Sequence, residues 1–388
     1  MRTERIFGDF HIHIGRTETG QAVKITGARN LTFANIMVEA SRRKGIDMIG
    51  IIDAASPAVQ REIADLLDKG NVHELDEGGL QYEKTTILLG CELEVRPDGF
   101  GPCHLLCYFP HFNDIKEFTS FLSRFMKNTD LSTQRFHGQI DELFRCVERL
   151  NGVVIPAHVF TPFKSVYGSC TDRMADVLPL ECIAAVELGL SADTFMADQL
   201  EELHPYTFLT NSDAHSLPKI GREYNELNVN SVSFNGWLQA LRKESGAGVT
   251  ANYGLNPRLG KYHRTLCKHC EAQLSHSRCV CPHCGSRSII KGVRDRINEI
   301  TTAEGEGPKC RPPYIYQIPL EFIPKIGPRI LQKLLDHFGT EMNILHRASK
   351  EDLASVVGES LAQNIVRARH AELAIEDGGG GVYGKIKL

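Results

Sequence analysis

Histidines and carboxylates recur at a few places in the first 245 residues, and the first of these is Asp9-Phe-His-Ile-His13. On an extended strand alternate side chains share a face, so His11 and His13 point one way and the isoleucine between them points the other. Neutral imidazole is the commonest nitrogen ligand of zinc-like ions. The motif therefore indicates a strand with a metal-binding face and a core face, although a strand with histidines in solvent fits it equally well.

Other candidate ligands follow short apolar segments that have the composition of buried strands. Examples are 48–52, which leads to Asp53, and 152–157, which leads to His158. Helical patterns occupy segments between them, at 115–126, 140–150 and 192–203. Alternating strands and helices with polar residues at strand ends predict a parallel barrel whose active site lies at its C-terminal face. The full set of candidates is His11, His13, Asp53, Glu92, His104, His158, Asp213 and His215.

The composition bounds what kind of protein this is. Its 388 residues, 42% of them hydrophobic, suffice for two or three domains with a large core. The sequence has neither the pattern of a signal peptide nor an apolar run near the roughly 20 residues of a membrane helix, so we expect a soluble, cytoplasmic protein. In such a protein the 12 cysteines indicate thiols and metal ligands rather than disulfides.

The two halves of the chain differ in charge. Residues 1–255 carry 24 Lys or Arg against 34 Asp or Glu, whereas residues 256–388 carry 20 against 14. An acidic half is consistent with carboxylates gathered around metals, and a basic half with a polyanion such as nucleic acid. Random surface variation is the alternative at a difference of this size.

Taken in order, the motifs resemble those of the PHP (polymerase and histidinol phosphatase) superfamily. The matching segments are Asp-Phe-His-Ile-His at 9–13, Gly-Cys-Glu at 90–92, the segment around His104, Pro-Ala-His at 156–158 and Ser-Asp-Ala-His-Ser at 212–216. The longer segments 156–163, 187–193 and 211–216 resemble the endonuclease Q branch, whose members nick DNA beside deaminated bases. The resemblance implies a distorted (β/α)7 barrel that binds two or three divalent metals (Zn, Mn or Mg) and hydrolyses phosphoesters.

The candidate ligands can be divided between clustered metal ions, which neutralise a phosphate, activate a water and stabilise the leaving oxygen. Glu92 can bridge two ions through its two carboxylate oxygens. The first site is completed by His11, His13 and Asp213, and the second by His104 and His158. The predicted catalytic residues are Glu92, His158 and Asp213.

The resemblance also implies a third metal site with His215 and, as a further candidate, Asp53. In this sequence Ala54 follows Asp53 at a position where the superfamily often has a histidine, so occupancy of the third site stays open. Asp9 is expected to orient one of the two first histidines from behind rather than to bind metal.

Cys267-Lys-His-Cys270 and Cys281-Pro-His-Cys284 form two Cys-x-x-Cys pairs separated by ten residues. This spacing predicts one structural zinc ion, held by the thiolates of Cys267, Cys270, Cys281 and Cys284. Cys279 lies beside the second pair and is an alternative ligand, and His269 and His283 are candidate substitutes for a cysteine. Residues 257–296 carry nine Lys or Arg against two acids, so the module is predicted to contact phosphates, with Arg294 and Arg296 as candidates.

Two glycine turns near the C-terminus resemble the halves of a helix-hairpin-helix domain. The first is Ile323-Pro-Lys-Ile-Gly327-Pro-Arg-Ile330, and a looser copy ends at Gly358. Gly327 is expected to permit a tight turn before a helix whose N-terminal amides hold a DNA phosphate, with Lys325 and Arg329 adding charge. An ordinary turn between packed helices is the alternative.

Three domains are therefore predicted. They are a metal-dependent phosphoesterase barrel at 1–245, a four-cysteine zinc-binding module at 246–300 and a helix-hairpin-helix-like DNA-binding region at 301–388. Within the third, residues 304–309 are expected to form a loop and residues 378–381 a flexible tail.

The resemblance extends across nearly the full length and implies a DNA repair endonuclease. The enzyme would use a metal-activated water to hydrolyse the phosphodiester on the 5′ side of uracil, hypoxanthine, xanthine or an abasic site, leaving a 3′-hydroxyl and a 5′-phosphate. Its partner would be duplex or single-stranded DNA with a damaged base, extruded because such a base costs less to unpair. The candidates for stacking on that base are Phe160, Phe163 and Tyr167, which core packing explains equally well. The rival is a phosphatase for a small phosphomonoester, which needs the barrel but neither the zinc module nor the basic half.

Overall fold

The computed structural model of the chain describes residues 3–274, 280–302, 311–376, 378 and 383–387. Three features predicted above fall wholly or partly on other residues. Cys279, the predicted loop at 304–309 and most of the predicted tail at 378–381 lie outside the described residues.

The described residues form strands and helices in alternation through most of the chain. The strands are β1 (Glu4–Ile12), β2 (Met48–Ile51), β3 (His73–Glu74), β4 (Leu80–Tyr82), β5 (Thr85–Val95), β6 (Cys103–Phe109), β7 (Val153–Pro156), β8 (Val186–Glu187), β9 (Phe208–Leu209), β10 (Tyr224–Val229), β11 (Gly248–Gly254), β12 (Leu266–Cys267), β13 (Ile289–Ile290), β14 (Tyr314–Tyr316), β15 (Ala374–Glu376) and β16 (Lys385–Lys387). The α-helices are α1 (Phe33–Val38), α2 (Pro57–Asp68), α3 (Phe112–Leu122), α4 (Ile140–Arg149), α5 (Thr194–Ala197), α6 (Phe234–Arg242), α7 (Val293–Ile300), α8 (Pro328–Phe338), α9 (Glu341–His346), α10 (Lys350–Val357) and α11 (Glu359–Arg369).

Seven of these strands close into a distorted barrel. β1 pairs with β2, β2 with β5, β5 with β6 and β6 with β7, while β8 and β9 pair with each other. Single bridges complete the ring, because Val154 pairs with Ile183 just before β8, and Ala214 beyond β9 pairs with Ile12 of β1. The predicted (β/α)7 barrel is confirmed in this distorted form.

One strand departs from the parallel arrangement that the alternation predicts. β6 runs antiparallel to both of its neighbours, β5 and β7. The chain between β5 and β6 is only residues 96–102, and a parallel pair needs a crossover of about a dozen residues or more. The short connection therefore forces β6 to run back along β5.

The two faces of β1 separate as its sequence predicts. Phe10 is fully buried, and its ring centroid lies 5.2 Å from that of the buried Trp237. His11 and His13 are also buried, but they face other polar side chains at the end of the barrel. The strand therefore joins the core to the site.

The helix predicted at 192–203 is much shorter in the structure, where α5 is followed by a 3-10 turn at Glu201–Leu203. The backbone becomes extended at Leu200, which buries that side chain in the core. Arg311 then donates to the carbonyl oxygens of Leu203 and His204, at 3.0 and 3.4 Å. A side chain from the C-terminal half therefore replaces the hydrogen bonds of a longer helix.

Strands beyond the first 245 residues extend the same sheet. β11 pairs antiparallel with β10, and β14 pairs parallel with β11. Of the C-terminal helices, α9 packs against the barrel, where the ammonium of Lys44 lies 3.0 Å from the carboxylate of Glu341 and both side chains are nearly buried. The C-terminal half is thereby fixed to the barrel rather than joined by a linker.

Candidate metal centre and DNA-binding surface

The predicted ligands of the first site come together at the end of β1. The Nε2 atoms of His11 and His13 each lie 3.5 Å from Oδ1 of Asp213, which follows β9. His13 Nε2 is also 3.5 Å from Oε2 of Glu92, on β5. Atoms bound to one ion at about 2.0–2.2 Å stand roughly this far apart, so the four side chains fit a single divalent metal.

A second group shares Glu92 with the first. The Oε1 atom of Glu92 lies 2.8 Å from Nδ1 of His104, on β6, and 3.3 Å from Nε2 of His158, which follows β7. Among the described residues, the buried Nε2 atom of His11 has no hydrogen-bond partner. Buried polar atoms are normally hydrogen-bonded, so this nitrogen is suited to bind a metal ion. We call the ligand set of both groups the barrel cluster: His11, His13, Glu92, His104, His158 and Asp213.

Two carboxylates behind the barrel cluster orient its histidines. Both oxygens of Glu187, at the end of β8, lie 3.0 Å from Nδ1 of His11, and Oε2 accepts the backbone N–H of His158 at 2.9 Å. Asp53 lies 3.1 Å from Nδ1 of His13 and accepts the N–H of Ile14 at 2.7 Å. A carboxylate on the far nitrogen fixes the tautomer and direction of a metal-binding imidazole.

These contacts change the assignment of Asp53 and add Glu187. Asp53 lies behind His13 and belongs to none of the groups of side chains that converge on one point among the described residues, so its contacts fit the orienting of a histidine better than the binding of a metal. Glu187 was not among the candidates, although it opens the quoted segment 187–193. Its position at a strand end, like that of the other polar residues, is the signal that could have found it.

Asp9 does not have the orienting role expected of it. Its two oxygens accept the backbone N–H groups of Ser212 and Gly221, at 3.0 and 2.9 Å. Asp9 therefore holds the turn that carries Asp213, and it contacts backbone amides rather than an imidazole.

His215 lies at the margin of the site. Its Nε2 is 3.3 Å from Oδ1 of Asp213, and its Nδ1 is 3.1 Å from the hydroxyl of Thr26. A group of His13, Asp213 and His215 can be drawn, but His13 and Asp213 already face the first site. A third metal would therefore share His13 and Asp213 with the first site. His215 is the one predicted ligand that it would have to itself.

The charge state of the cluster follows from burial and close opposite charges. Burial favours neutral imidazole at His11, but Glu187 and Asp213 outweigh it and raise its pKa to about 10. At His13, burial and the ammonium of Lys24 lower the pKa to about 4. Burial opposes ionisation of Glu92, yet His104 and Lys24 hold its pKa well below the usual range. Glu92 and Asp213 are thus held in the ionised form that binds a metal.

Two members of the cluster adopt backbone conformations that non-glycine residues rarely take. The φ angles are 32° at His158 and 45° at Asp213. His158 lies two residues beyond β7 and Asp213 four residues beyond β9, so both strained positions are in the turns that follow barrel strands. Gly189 packs against the first of these turns, where a Cβ atom would lie 2.9 Å from Cβ of His158.

All members of the barrel cluster except His11 lie in the wall of a cavity of about 550 Å³. Basic side chains from four parts of the chain also line it: Lys24, Lys164, Lys219, Arg222 and Lys261. Lys24 reaches deepest, because its ammonium donates to Oε2 of Glu92 at 3.0 Å. Of these five only Lys261 belongs to the basic segment 257–296 that was predicted to contact phosphates, and the fold brings the other four to the same opening.

The three aromatic candidates for base stacking differ in exposure. Phe160 and Tyr167 are 1% and 0% exposed and stack on each other in the core, with ring centroids 5.4 Å apart, so neither can stack on a base. Phe163 is 50% exposed, lines the cavity and contacts the ring of Tyr262 edge-on. The stacking prediction is therefore wrong for the first two and stands for Phe163.

The four predicted zinc thiols converge as well, and we call them the cysteine cluster: Cys267, Cys270, Cys281 and Cys284. The Sγ atoms of Cys267 and Cys284 are 3.6 Å apart, as are those of Cys270 and Cys281. Zn–S bonds of about 2.3 Å in a tetrahedron place sulfurs about 3.8 Å apart, far beyond a disulfide. The backbone N–H groups of Cys270 and His269 lower the pKa of Cys267 to about 6, whereas burial and the neighbouring thiols outweigh the backbone N–H groups at Cys270 and Cys284 and raise their pKa values.

The two arginines predicted to contact phosphates in this module differ. Arg294 is exposed on α7. Arg296 donates to the carbonyl oxygens of Tyr167 and Thr171, at 2.7 and 3.1 Å, and pairs with Asp172. Because its guanidinium is only 17% exposed and lies outside the cavity wall, Arg296 ties the module to the barrel rather than facing a phosphate.

The first glycine turn near the C-terminus is built differently from the prediction. Gly327 has φ −83° and precedes α8, whereas Lys325 has the left-handed φ of 74°. The tight turn is therefore made at Lys325, although both it and Arg329 remain exposed as predicted. In the second copy Gly358 does have a left-handed φ, of 83°, between α10 and α11.

Known proteins match both parts of the chain. Residues 194–245 match the family described as PHP-associated, and residues 318–370 match the SAM-like helix-hairpin-helix tandem. A Bacillus subtilis (strain 168) protein, Uncharacterized protein YqxK, is 48% identical over 386 residues, which is 99% of this chain and 100% of the relative. The predicted helix-hairpin-helix element is thereby confirmed.

Two solved structures are similar over nearly the whole length. The lesion-specific endonuclease PfuEndoQ from Pyrococcus furiosus has 32% identity and a TM-score of 0.85, covering 99% of this chain and 96% of that one. Endonuclease Q in complex with a 27-mer duplex substrate with an abasic lesion at its active site has 31% identity and a TM-score of 0.85, covering 99% and 97%. Across the described residues, no helix is long and apolar enough to span a bilayer.

Proposed function

The chain belongs to the endonuclease Q family of the PHP superfamily, and we propose that it is a DNA repair endonuclease that nicks DNA on the 5′ side of a damaged base. The substrates are uracil, hypoxanthine, xanthine and abasic sites, and the products carry a 3′-hydroxyl and a 5′-phosphate. One observation carries the proposal: the barrel cluster and five basic side chains share one cavity. Chemistry for phosphoester hydrolysis thus lies where a polyanionic strand can enter.

The donor set of the barrel cluster suits two divalent metals. His11, His13 and Asp213 with Glu92 Oε2 would hold the first, and His104 and His158 with Glu92 Oε1 the second. When bound, the metals would polarise the phosphate as Lewis acids, lower the pKa of a water and stabilise the negative charge that develops on the leaving oxygen. Imidazole and carboxylate ligands fit Zn and Mn, and the carboxylates also fit Mg.

The side chains around the cavity bind and orient the strand. Lys24 is held against Glu92 and Lys164 against Glu94, at 3.0 and 2.8 Å, so both ammonium groups are fixed before DNA arrives. Fixed donors lower the cost of ordering when the phosphates on either side of the cut are bound. Phe163, half exposed at the cavity, gives an extruded base an aromatic face.

The C-terminal half holds the duplex. Lys325 and Arg329 are exposed beside the N-terminus of α8, where backbone amides can bind a phosphate without reading the sequence. The cysteine cluster, with one structural zinc, fixes the module that brings Lys261 and Tyr262 to the cavity. These features favour DNA over the rival substrate, a small phosphomonoester, which would use neither.

The test incubates the protein and a divalent metal with end-labelled duplexes that carry one deoxyuridine or one deoxyinosine. The matched control is the same duplex without the damaged base, and p-nitrophenyl phosphate stands for the rival class. We expect one cut on the 5′ side of each damaged base and none in the control. Intact strands with every metal tried, together with phosphomonoester turnover, would favour the phosphatase.

A further inference from the structure

Ile25 is an isoleucine that the fold leaves almost wholly in solvent. Its side chain is 77% exposed. Among the large hydrophobic side chains of the described residues, only Phe195, at 78%, is equally exposed. A single exposed apolar residue is ordinary on a protein surface. What distinguishes Ile25 is its position, because both of its neighbours, Lys24 and Thr26, line the cavity that holds the barrel cluster.

The side chains on either side of Ile25 are tied to candidate metal ligands. Lys24 donates to Glu92 at 3.0 Å, and the hydroxyl of Thr26 lies 3.1 Å from Nδ1 of His215. Ile25 is therefore fixed at the rim, next to the place where the phosphodiester must lie. The position of Ile25 relative to the barrel cluster is fixed by the hydrogen bonds of Lys24 and Thr26.

The backbone of this segment is equally constrained. Lys24 N–H donates to the carbonyl oxygen of Ile14, and Gly27 N–H donates to that of Lys24, both at 2.9 Å. Gly27 packs so closely that a Cβ atom on it would lie 2.7 Å from Cα of Gly15. Ile25 thus stands at the tip of a tight turn, and holding it in place when DNA binds costs little additional entropy.

We propose that Ile25 is a wedge that enters the base stack of the duplex and fills the space left by the extruded nucleotide. This inference rests on the proposed function, since it presupposes a damaged base in the cavity. Apolar side chains inserted between bases unstack them, and a rigid one can hold the stack open while the extruded nucleotide occupies an active site. Phe163 then faces the extruded base, and Ile25 takes the place of that base in the DNA duplex.

The proposal separates duplex substrates from substrates that are already open. Ile25→Ala is compared with the wild type on a duplex with one deoxyuridine and on the same sequence with that deoxyuridine in an unpaired bubble. We expect nicking of the duplex to fall about tenfold and nicking of the bubble to change less than about twofold. Ile25→Leu keeps an apolar wedge and is expected to restore the duplex rate. Val38→Ala is the matched control, since Val38 is exposed but does not line the cavity.

A second measurement reports insertion directly. In the uncleaving Asp213→Ala background, the fluorescence of 2-aminopurine beside the deoxyuridine is expected to rise on binding, because the base loses its stacking partner. Adding Ile25→Ala should remove most of that rise.

Equal losses on duplex and bubble, or no loss on either, would overturn the wedge, as would an Ile25→Ala protein that changes only its oligomeric state. Failure of the wild type to nick either substrate would overturn the proposed function itself.

Discussion

The barrel cluster and the cysteine cluster each bring several metal-binding groups within reach of one ion, but they differ in what surrounds those groups. The barrel cluster mixes imidazoles and carboxylates, shares Glu92 between two sites and opens on a cavity. The cysteine cluster has four like ligands at nearly equal spacing, and its neighbours are the backbone amides and turns of a small module. A mixed and open set suits catalysis, whereas a closed set of thiolates suits structure.

The supporting contacts differ in the same way. Glu187 and Asp53 stand behind the barrel histidines and fix their direction, which matters only if the metals must meet a substrate in a defined geometry. Thiolates need no such orienting group. The comparison teaches that the second layer of contacts separates a catalytic site from a structural one.

The largest expected effect comes from Asp213, which contributes to the first barrel site. Asp213→Ala removes an oxygen ligand that lies 3.5 Å from both His11 and His13. We expect nicking to fall about a thousandfold or more, since metal ions supply most of the charge stabilisation. Duplex binding, measured by fluorescence anisotropy, should stay within a few-fold of wild type. Loss of binding with intact turnover of bound DNA would contradict the assignment.

Glu187 tests whether orientation matters at the barrel cluster. Glu187→Gln keeps the shape but weakens the contact with Nδ1 of His11, and we expect nicking to fall about ten- to a hundredfold. Raising the metal concentration should recover part of the rate if the loss is in metal affinity. Glu226→Gln is the control, because that carboxylate pairs with Arg5 and does not line the cavity. An equal loss in both variants would remove the distinction.

The cysteine cluster is expected to act on structure first. Cys281→Ser should release about one zinc per chain and expose the module to limited proteolysis, because a structural zinc contributes to folding directly. Nicking should fall through weaker DNA binding, with the rate at saturating DNA nearly unchanged. A fall in the saturated rate as large as that of Asp213→Ala would make this cluster part of the chemistry.

Lys325 and Arg329 extend the comparison to the hairpin region. Changing each to Ala should weaken binding of damaged and undamaged duplexes alike, and should lower the slope of log K against log salt by about 1 per residue. Lys333→Ala is a useful control, since its ammonium is bound to the carbonyl oxygen of Val356. A loss confined to damaged DNA would mean that these residues read the lesion.

The smallest expected effect is a pH dependence at the contact between the barrel and the C-terminal helices. His346 stacks on Phe7 with ring centroids 4.3 Å apart, its Nε2 lies 2.7 Å from the hydroxyl of Tyr224, and burial lowers its pKa to about 4 from 6.5. The neutral form is the one that fits, so its stabilisation is complete above pH 6.5 and is lost as the pH falls towards 4. Thermal unfolding across this range should show that loss, and His346→Gln should flatten it.

The candidate barrel ligands could be picked out from the sequence because they lie in short motifs, most of them near the end of a strand. His11, His13 and the four cysteines could be found from spacing alone. The family and the fold class follow from the same motifs, and both are confirmed. The particular roles of the ligands stay predictions.

Other parts of the site depend on tertiary contacts and could not be read from spacing. Lys24 lies in a loop that matches no motif, and its place in the site is evident only from its hydrogen bond to Glu92. Asp53 was a candidate ligand and Glu187 was not, although the structure places both carboxylates behind a histidine of the barrel cluster. The burial of Phe160 and the direction of β6 likewise follow from packing and from a short connection.

Metal counting on purified protein tests the division between the two clusters most directly. Wild type, Glu92→Gln and Cys281→Ser are analysed by plasma mass spectrometry after dialysis, beside nicking of the deoxyuridine duplex. The account predicts that Glu92→Gln keeps one zinc, loses the barrel metals and loses nicking, while Cys281→Ser loses one zinc and keeps the barrel metals. Loss of nicking in Glu92→Gln with every metal retained, or loss of barrel metals in Cys281→Ser, would contradict it.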